Sequence, residues 1–162
     1  MVSLTTLSPE FDAFGRVKNS LDNLREEQMD SNDRQAIVDL ISYYSYSYDE
    51  NDMETFTSLF DKDAVVSIAA NEISAGNFIK AAATRRNMHA KEGIQTRHYQ
   101  TNTVITEAGE GTVRAKTMFL VLYQHPGKPG PDIVHSGTYH DEFRKTGQSW
   151  KFLRRVIKLD HL

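Results

Sequence analysis

The chain has 162 residues, of which 39% are hydrophobic and 25% charged, and its formal net charge is -3. This size and apolar content predict one compact domain with a hydrophobic core. Acidic and basic residues are scattered without a basic block, which argues against a nucleic-acid partner. The sequence contains no cysteine, which excludes disulfides, thiolate nucleophiles and cysteine-based metal centres.

No apolar run approaches the ~20 residues that a membrane-spanning helix needs. The N-terminal sequence MVSLTTLSPEFDAF lacks the basic start and long apolar centre of a secretion signal. We therefore expect a cytoplasmic protein without a membrane partner.

Residues 1–30 are polar and only weakly helical in pattern, which predicts a partly helical N-terminal extension before a folded domain at residues 31–162. After residue 31 the apolar residues recur at helical spacing and form one stripe. Its members are Ile37, Leu40, Ile41, Tyr44 and Tyr48. The stretch YSYSYD alternates like a strand, but the adjacent Leu40 and Ile41 break that alternation. We predict a helix that ends near Asp49, with Tyr46 pointing away from the stripe.

A second short helix is predicted after Asn51 or Asp52, either of which can cap it. DAVVSIAA then reads as a strand, residues 75–90 as a third helix, and Gly93 as its end. Strand-like runs follow at about 96–106, 112–124, 132–145 and 149–159, separated by the turn sequences AGEG, HPGKPGP and TGQS. Helices first and strands last predict an α+β fold, in which a curved antiparallel sheet wraps around helices as a cone. A cone open at one end suits a small-molecule pocket.

Residue alternation along two strands makes further predictions. In the strand from about residue 96, His98 shares a face with Val104, a core-like residue. In the next strand both faces are apolar: Met118 and Leu120 lie on one, and Phe119 and Val121 on the other. Helices covering one face and a neighbouring subunit covering the other would explain this, so we expect a homo-oligomer.

Three blocks of the sequence carry a family resemblance: DRQAIVDLISYYSYSYDENDMETFTSLFDKDAVV, TRHYQTN and SGTYHDEFRKTGQSWKFLRRVI. They resemble the nuclear-transport-factor-2-like, or SnoaL-like, superfamily of α+β cone domains. The likeness covers about residues 33–160 and is strongest to the branch with scytalone dehydratase, hexachlorocyclohexane dehydrochlorinase and bile acid 7α-dehydratase. It implies a small-molecule substrate, no cofactor, and a trimer in preference to a dimer. The fold alone does not assign a function, because it hosts enzymes and binding modules.

The resemblance also implies site residues. In this branch a helix-borne aspartate pairs with a histidine at the start of a long strand, and these positions match Asp49 and His98. A tyrosine before the aspartate matches Tyr48, and an arginine in the last strand falls on Arg155. The apolar pocket wall maps to Met118, Leu120 and Tyr139, with His135 on the same strand face as Tyr139.

The sequence also departs from these relatives. A lysine of the dehydrochlorinase site becomes Tyr44, which we assign to substrate binding with Tyr139. The serine and asparagine of the scytalone dehydratase pocket fall on Gly137 and Tyr139, and a second tyrosine of that enzyme falls on Ile68. Neither known substrate is supported by these positions.

The chemistry implied by these residues is a cofactor-free elimination. A histidine with pKa near ~6.5 can remove a proton, and a carboxylate on its other nitrogen orients it. His98 is then the base and Asp49 its partner. A tyrosine hydroxyl or protonated His135 can assist the leaving group, and Arg155 can bind a developing anion.

Other readings stay open at this point. An isomerase or cyclase can use the same dyad, and a non-catalytic binding module needs none. If these residues have no role in catalysis or binding, Asp49 caps a helix, the tyrosines pack in the core, and Arg155 lies at a solvated edge or a subunit contact. No metal site is predicted, because His135 and His140 fall on opposite faces of a strand.

Overall fold

The computed structural model describes residues 29–109 and 111–161. Apart from Ser31, all of the elements below lie in one compact unit that begins at Asn32. The predicted extension at residues 1–30 lies almost wholly outside the described residues. The described residues form three helices and six strands. They are α1 (Ser31–Asp49), α2 (Met53–Ser58), β1 (Phe60–Ile68), β2 (Asn71–Ser74), α3 (Ala75–Lys91), β3 (Gln95–Gly109), β4 (Thr112–Gln124), β5 (Asp132–Thr146) and β6 (Ser149–Leu159).

Helix α1 follows the predicted stripe. All five of its apolar members, from Ile37 to Tyr48, are buried, whereas Tyr46 is 70% exposed. The helix ends because Asn51 takes a left-handed conformation (φ 62°) and Asp52 caps α2 by accepting a hydrogen bond from the Thr55 N–H at 3.0 Å. The helical interpretation of YSYSYD is confirmed, and Asp49 is the last residue of the helix.

The six strands form one curled, unclosed sheet in the order β2-β1-β6-β5-β4-β3. The predicted α+β class is confirmed. The sheet is mixed, because β1 pairs parallel to β6 while the other neighbours are antiparallel. Strand β2 is absent from the sequence prediction because its four residues are all exposed and carry no alternation.

The inner face of the sheet packs against the helices through aromatic rings. Tyr44 of α1 contacts Tyr139 and Phe152, with ring centroids 5.9 and 5.8 Å apart, and Phe143 stands 4.9 Å from Phe152. These contacts place the apolar core between α1 and the strands β5 and β6.

Strand β3 contains a bulge that corrects one prediction. Asn102 has a φ of 54°, and the pairing with β4 shifts between Thr101 and Val104. An extra residue in a strand reverses the faces of everything beyond it. Val104 is therefore 60% exposed instead of sharing the inner face with His98.

The outer face of the sheet carries several large apolar side chains. Those of Tyr99, Met118, Leu120 and Ile133 are between 41% and 68% exposed. The expected two-faced apolar character of β4 is thus present. Its inner residues, Phe119 and Val121, are only 4% and 5% exposed.

Candidate active site

Asp49 and His98 meet at the junction between the end of α1 and the start of β3. One carboxylate oxygen of Asp49 accepts the backbone N–H of His98 at 2.7 Å, and the other contacts the ring Nδ1 at 2.7 Å. The Gln95 side chain donates to the main-chain oxygen of Asp49 at 3.2 Å. Only 10% of the His98 side chain and 6% of the Asp49 side chain are exposed. The two residues therefore form a buried pair held by side-chain and backbone contacts.

The geometry of the pair assigns the proton on the His98 ring. An ionised carboxylate only accepts hydrogen bonds, so Nδ1 carries a proton and Nε2 keeps its lone pair in the neutral imidazole. Two tyrosines meet this ring edge-on, Tyr48 with centroids 5.3 Å apart and Tyr44 with centroids 6.5 Å apart. Nε2 is the nitrogen that remains for a ligand.

His98 lines a cavity of about 200 Å³ enclosed by the sheet, α1 and α3. Most of the lining is apolar. Its apolar members are Ile68, Ile73, Phe78, Ala81, Ala82, Phe119, Val121, Ile157 and Leu159. The side chains with polar groups are Tyr44, Tyr48, Arg85, His98, His135 and Tyr139. An apolar cavity with a few converging polar groups is the usual form of a small-molecule site.

The three cavity tyrosines keep their protons at neutral pH. Burial raises the pKa of Tyr48 to about 12 and also raises the pKa values of Tyr44 and Tyr139 above the ordinary tyrosine value. Their hydroxyl groups are therefore hydrogen-bond donors. They are suited to donating a hydrogen bond to a carbonyl or to a departing hydroxyl group, and poorly suited to acting as a base.

His135 lies on β5 and also lines the cavity. Burial, followed by the charges of His161, Arg85 and His98, lowers its pKa, so its ring is neutral at pH 7. The buried Nδ1 has no hydrogen-bond partner among the described residues, and the ring stacks on His161 with centroids 5.7 Å apart. This environment disfavours the predicted role for a protonated His135 and leaves it as a neutral ligand contact.

The predicted pocket wall on β4 is wrong by one residue. Met118 and Leu120 are 51% and 41% exposed on the outer face of the sheet, whereas Phe119 and Val121 line the cavity. Successive residues of a strand point to opposite faces, so a register error of one residue exchanges the two sets. Tyr139 does line the cavity, as predicted, and stacks on Phe119 with centroids 4.1 Å apart.

Arg155 does not line the cavity and is not at a solvated edge, because it is fully buried. Its Nε and Nη2 donate to the two carboxylate oxygens of Asp141, each at 2.8 Å. The guanidinium carbon lies 3.8 Å from the ring centroid of Tyr44 and 4.1 Å from that of Tyr139. Arg155 therefore packs against the rings of two cavity tyrosines without itself lining the cavity.

Two charged residues at this site are missing from the sequence prediction. Tyr139, Asp141 and Phe143 occupy every second position of β5 and so share one face. An acidic residue between two aromatic residues on one strand face indicates a buried charge with a partner. Arg85 follows Phe78, Ala81 and Ala82 at helical spacing on α3, which places all four on one face. Helical periodicity in residues 75–90 indicates that face directly.

The described part of the chain contains no cluster of three or more potential metal ligands from His, Asp and Glu. Within the same residues, no helix combines the length and apolarity needed to cross a membrane.

Comparison with solved structures finds the same fold. ActVI-ORFA of Streptomyces coelicolor superposes with a TM-score of 0.72 at 19% identity, covering 82% of this chain and 100% of that one. A protein from Novosphingobium aromaticivorans, provisionally assigned as a scytalone dehydratase, gives 0.65 at 25% identity, with coverages of 78% and 83%. LinA gives 0.64 at 20% identity, with coverages of 80% and 86%.

A search of curated proteins finds no match. The SnoaL-like domain family, in contrast, matches residues 29–156, which include α1, strands β1 to β5, most of β6 and every cavity-lining residue except Ile157 and Leu159. This match confirms the resemblance of the three sequence blocks. The chain therefore belongs to the SnoaL-like domain family.

Proposed function

We propose that this protein is a cofactor-independent lyase that eliminates water from a small, largely apolar, oxygenated ring compound. The observation that carries the proposal is the buried Asp49–His98 pair, whose ring borders an apolar cavity. A base with only 10% of its side chain exposed, beside apolar walls, meets less competition from bulk water than a base at the surface. The cavity volume of about 200 Å³ lies below the ~300–1,000 Å³ typical of drug-sized ligands, which favours the smaller polyketide or terpenoid rings over a steroid.

In the proposed reaction, Nε2 of His98 removes a proton from a carbon next to a carbonyl group of the substrate. Asp49 holds Nδ1–H and stabilises the imidazolium that forms. The electron pair left on carbon forms the new double bond, and the hydroxyl group on the neighbouring carbon departs with a proton as water.

Departure of the hydroxyl group needs a proton donor, and we assign this role to Tyr48. It lines the cavity and its ring contacts that of His98. Tyr44 and Tyr139 lie deeper, against Arg155, and we assign them to substrate binding. Tyr48, which is protonated before the reaction, transfers its proton to the departing hydroxyl group to form water and recovers a proton from the imidazolium of His98.

A second candidate is an isomerase or cyclase with the same dyad. The observation in its favour is the set of polar groups in the cavity: one base and several neutral donors suit proton removal and return beside a polarised carbonyl. Elimination changes the mass of the substrate by one water, whereas isomerisation leaves it unchanged. A mass measurement of the product therefore separates the two.

The test combines a substrate screen with variants of the dyad. Purified protein is incubated with oxygenated ring compounds, and products are identified by liquid chromatography and mass spectrometry. His98→Ala and Asp49→Asn should each lower kcat by about 10²–10⁴, while His125→Ala, outside the cavity lining, leaves it unchanged. Folded dyad variants that both retain full turnover would refute the proposal, and ligand binding without turnover would indicate a binding module.

We further propose that the outer sheet face is a contact between copies of this chain, with a trimer favoured over a dimer. The half-exposed Leu120 and Ile133 lie on this face, and such apolar patches commonly mark interfaces. Light scattering after size-exclusion chromatography measures the oligomer, and Leu120→Lys should shift it towards monomer. A wild-type monomer at micromolar concentration contradicts this proposal.

A further inference from the structure

The wall that α3 contributes to the cavity carries a cation that the proposed elimination does not use. Arg85 lines the cavity, and among the described residues no carboxylate forms an ion pair with it. Several other arginines among the described residues differ. Arg97, Arg114, Arg144 and Arg154 each pair with an exposed or partly exposed carboxylate.

The surroundings of Arg85 add to its positive charge. The next residue, Arg86, is buried, donates to the main-chain oxygen of Ile94 at 3.3 Å, and also has no carboxylate partner among the described residues. Its Nε has no hydrogen-bond partner in the described part of the chain. Asp49 forms no ion pair with Arg85 or Arg86, because both of its carboxylate oxygens contact His98.

The field of Arg85 extends across the cavity. Besides burial and His161, it is among the charges that lower the pKa of His135 on the opposite sheet wall. Arg85 is exposed on the solvent side of the cavity. Apolar walls screen a charge less than water does, so an anion held between Arg85 and those walls interacts with it more strongly than at a flat surface.

We propose that Arg85 binds an anionic group of the ligand, and that the substrate is a carboxylic acid built on about one or two rings. Its ring lies against Phe119 and His98 while its carboxylate stays at Arg85. The planar guanidinium fork binds a carboxylate through two parallel hydrogen bonds, which fixes the orientation of the ring relative to His98. This inference rests on the proposed function only in taking the cavity as the active site.

Binding measurements with matched ligands test the inference without any need for turnover. Benzoate, 1-naphthoate and 2-naphthoate are compared with their primary amides by titration calorimetry on the full-length protein at low ionic strength. The amides keep the ring and the planar head group but remove the charge. We expect at least one carboxylate to bind about tenfold more tightly than its amide, with the difference shrinking as salt is added.

Variants assign the preference to one residue. Arg85→Gln should remove the difference between acid and amide by weakening the acid alone, and Arg85→Lys should restore part of it. Arg114→Gln, a surface arginine on β4 paired with Glu142, serves as the matched control and keeps the full preference. Circular dichroism spectra confirm that all three variants are folded.

Three outcomes overturn the inference: no preference for the acids in wild-type protein, no binding of any probe, or a preference that survives Arg85→Gln. The dyad variants separate its failure from that of the proposed function. In His98→Ala the preference for acids should persist even though turnover is lost. Turnover that depends on His98 without any preference for acids would refute the role of Arg85 and leave the elimination intact.

Discussion

Replacing Asp141 by asparagine tests the role of the buried ion pair behind the cavity. Both side chains of the Asp141–Arg155 pair are completely excluded from solvent, and two hydrogen bonds of 2.8 Å join them. The substitution keeps the shape of the side chain but removes its charge. The guanidinium of Arg155 then stays buried among three aromatic rings without a counter-charge.

The expected loss in the free energy of unfolding is about 3–5 kcal/mol, the usual cost of leaving one member of a buried pair unpaired. A large part of the total stability of a single domain would be lost, since that total is about 5–15 kcal/mol. The exposed pair Arg114–Glu142 provides a control, because Glu142→Gln should cost less than about 1 kcal/mol.

Urea unfolding followed by circular dichroism measures both variants and the double variant Asp141→Leu/Arg155→Met. Removing both charges should recover most of the stability, because a buried ion pair often contributes no more than apolar residues of similar volume. If Arg155 bound the substrate directly, the stable double variant would lose ligand affinity. A cost below about 1 kcal/mol for Asp141→Asn, like that of the surface pair, would refute the reasoning.

Two further predictions concern packing and pH. Gly137→Ala should cost about 2–3 kcal/mol in urea unfolding, because its new methyl group meets a carbonyl oxygen of β6, whereas Gly130→Ala meets nothing within 4 Å and should be neutral. Hydrogen bonds from a backbone N–H and from the Arg144 guanidinium lower the pKa of buried Asp61. Its contribution to stability is therefore full above the unfolded value of about 3.9 and is lost as the pH falls through the folded pKa. Asp61→Asn should flatten the fall in stability below about pH 4, and an unchanged slope, equal to that of the exposed Asp39→Asn, would contradict this.

Much of the local structure follows from residue spacing alone. The stripe from Ile37 to Tyr48 predicts α1 and the outward direction of Tyr46, because a helix brings every third or fourth residue to one face. Turn sequences place both ends of β4 and the start of β6 where the structure has them. These patterns depend only on neighbours along the chain, so they are readable before the chain is folded.

Other features depend on residues far apart in the chain. The bulge at Asn102, which turns Val104 outwards, and the parallel pairing of β1 with β6 have no local signature in the residues involved. Likewise, the burial of Arg155 depends on Asp141 in the neighbouring strand. The residues next to Arg155 in the sequence are equally compatible with a position at a solvated edge.

The pairing of Asp49 with His98 shows most clearly which features follow from local sequence and which depend on the tertiary structure. Spacing along the chain placed Asp49 at the end of a helix and His98 near the start of a strand, and family resemblance suggested that they meet. Their 2.7 Å contact needs the whole curl of the sheet, because 49 residues separate them. Residue spacing could establish the elements, since hydrogen bonding and side-chain direction within an element are local. It could not establish the contents of the cavity, since a shift of one residue in strand pairing exchanges Phe119 for Met118 and turns a cavity wall into an outer surface.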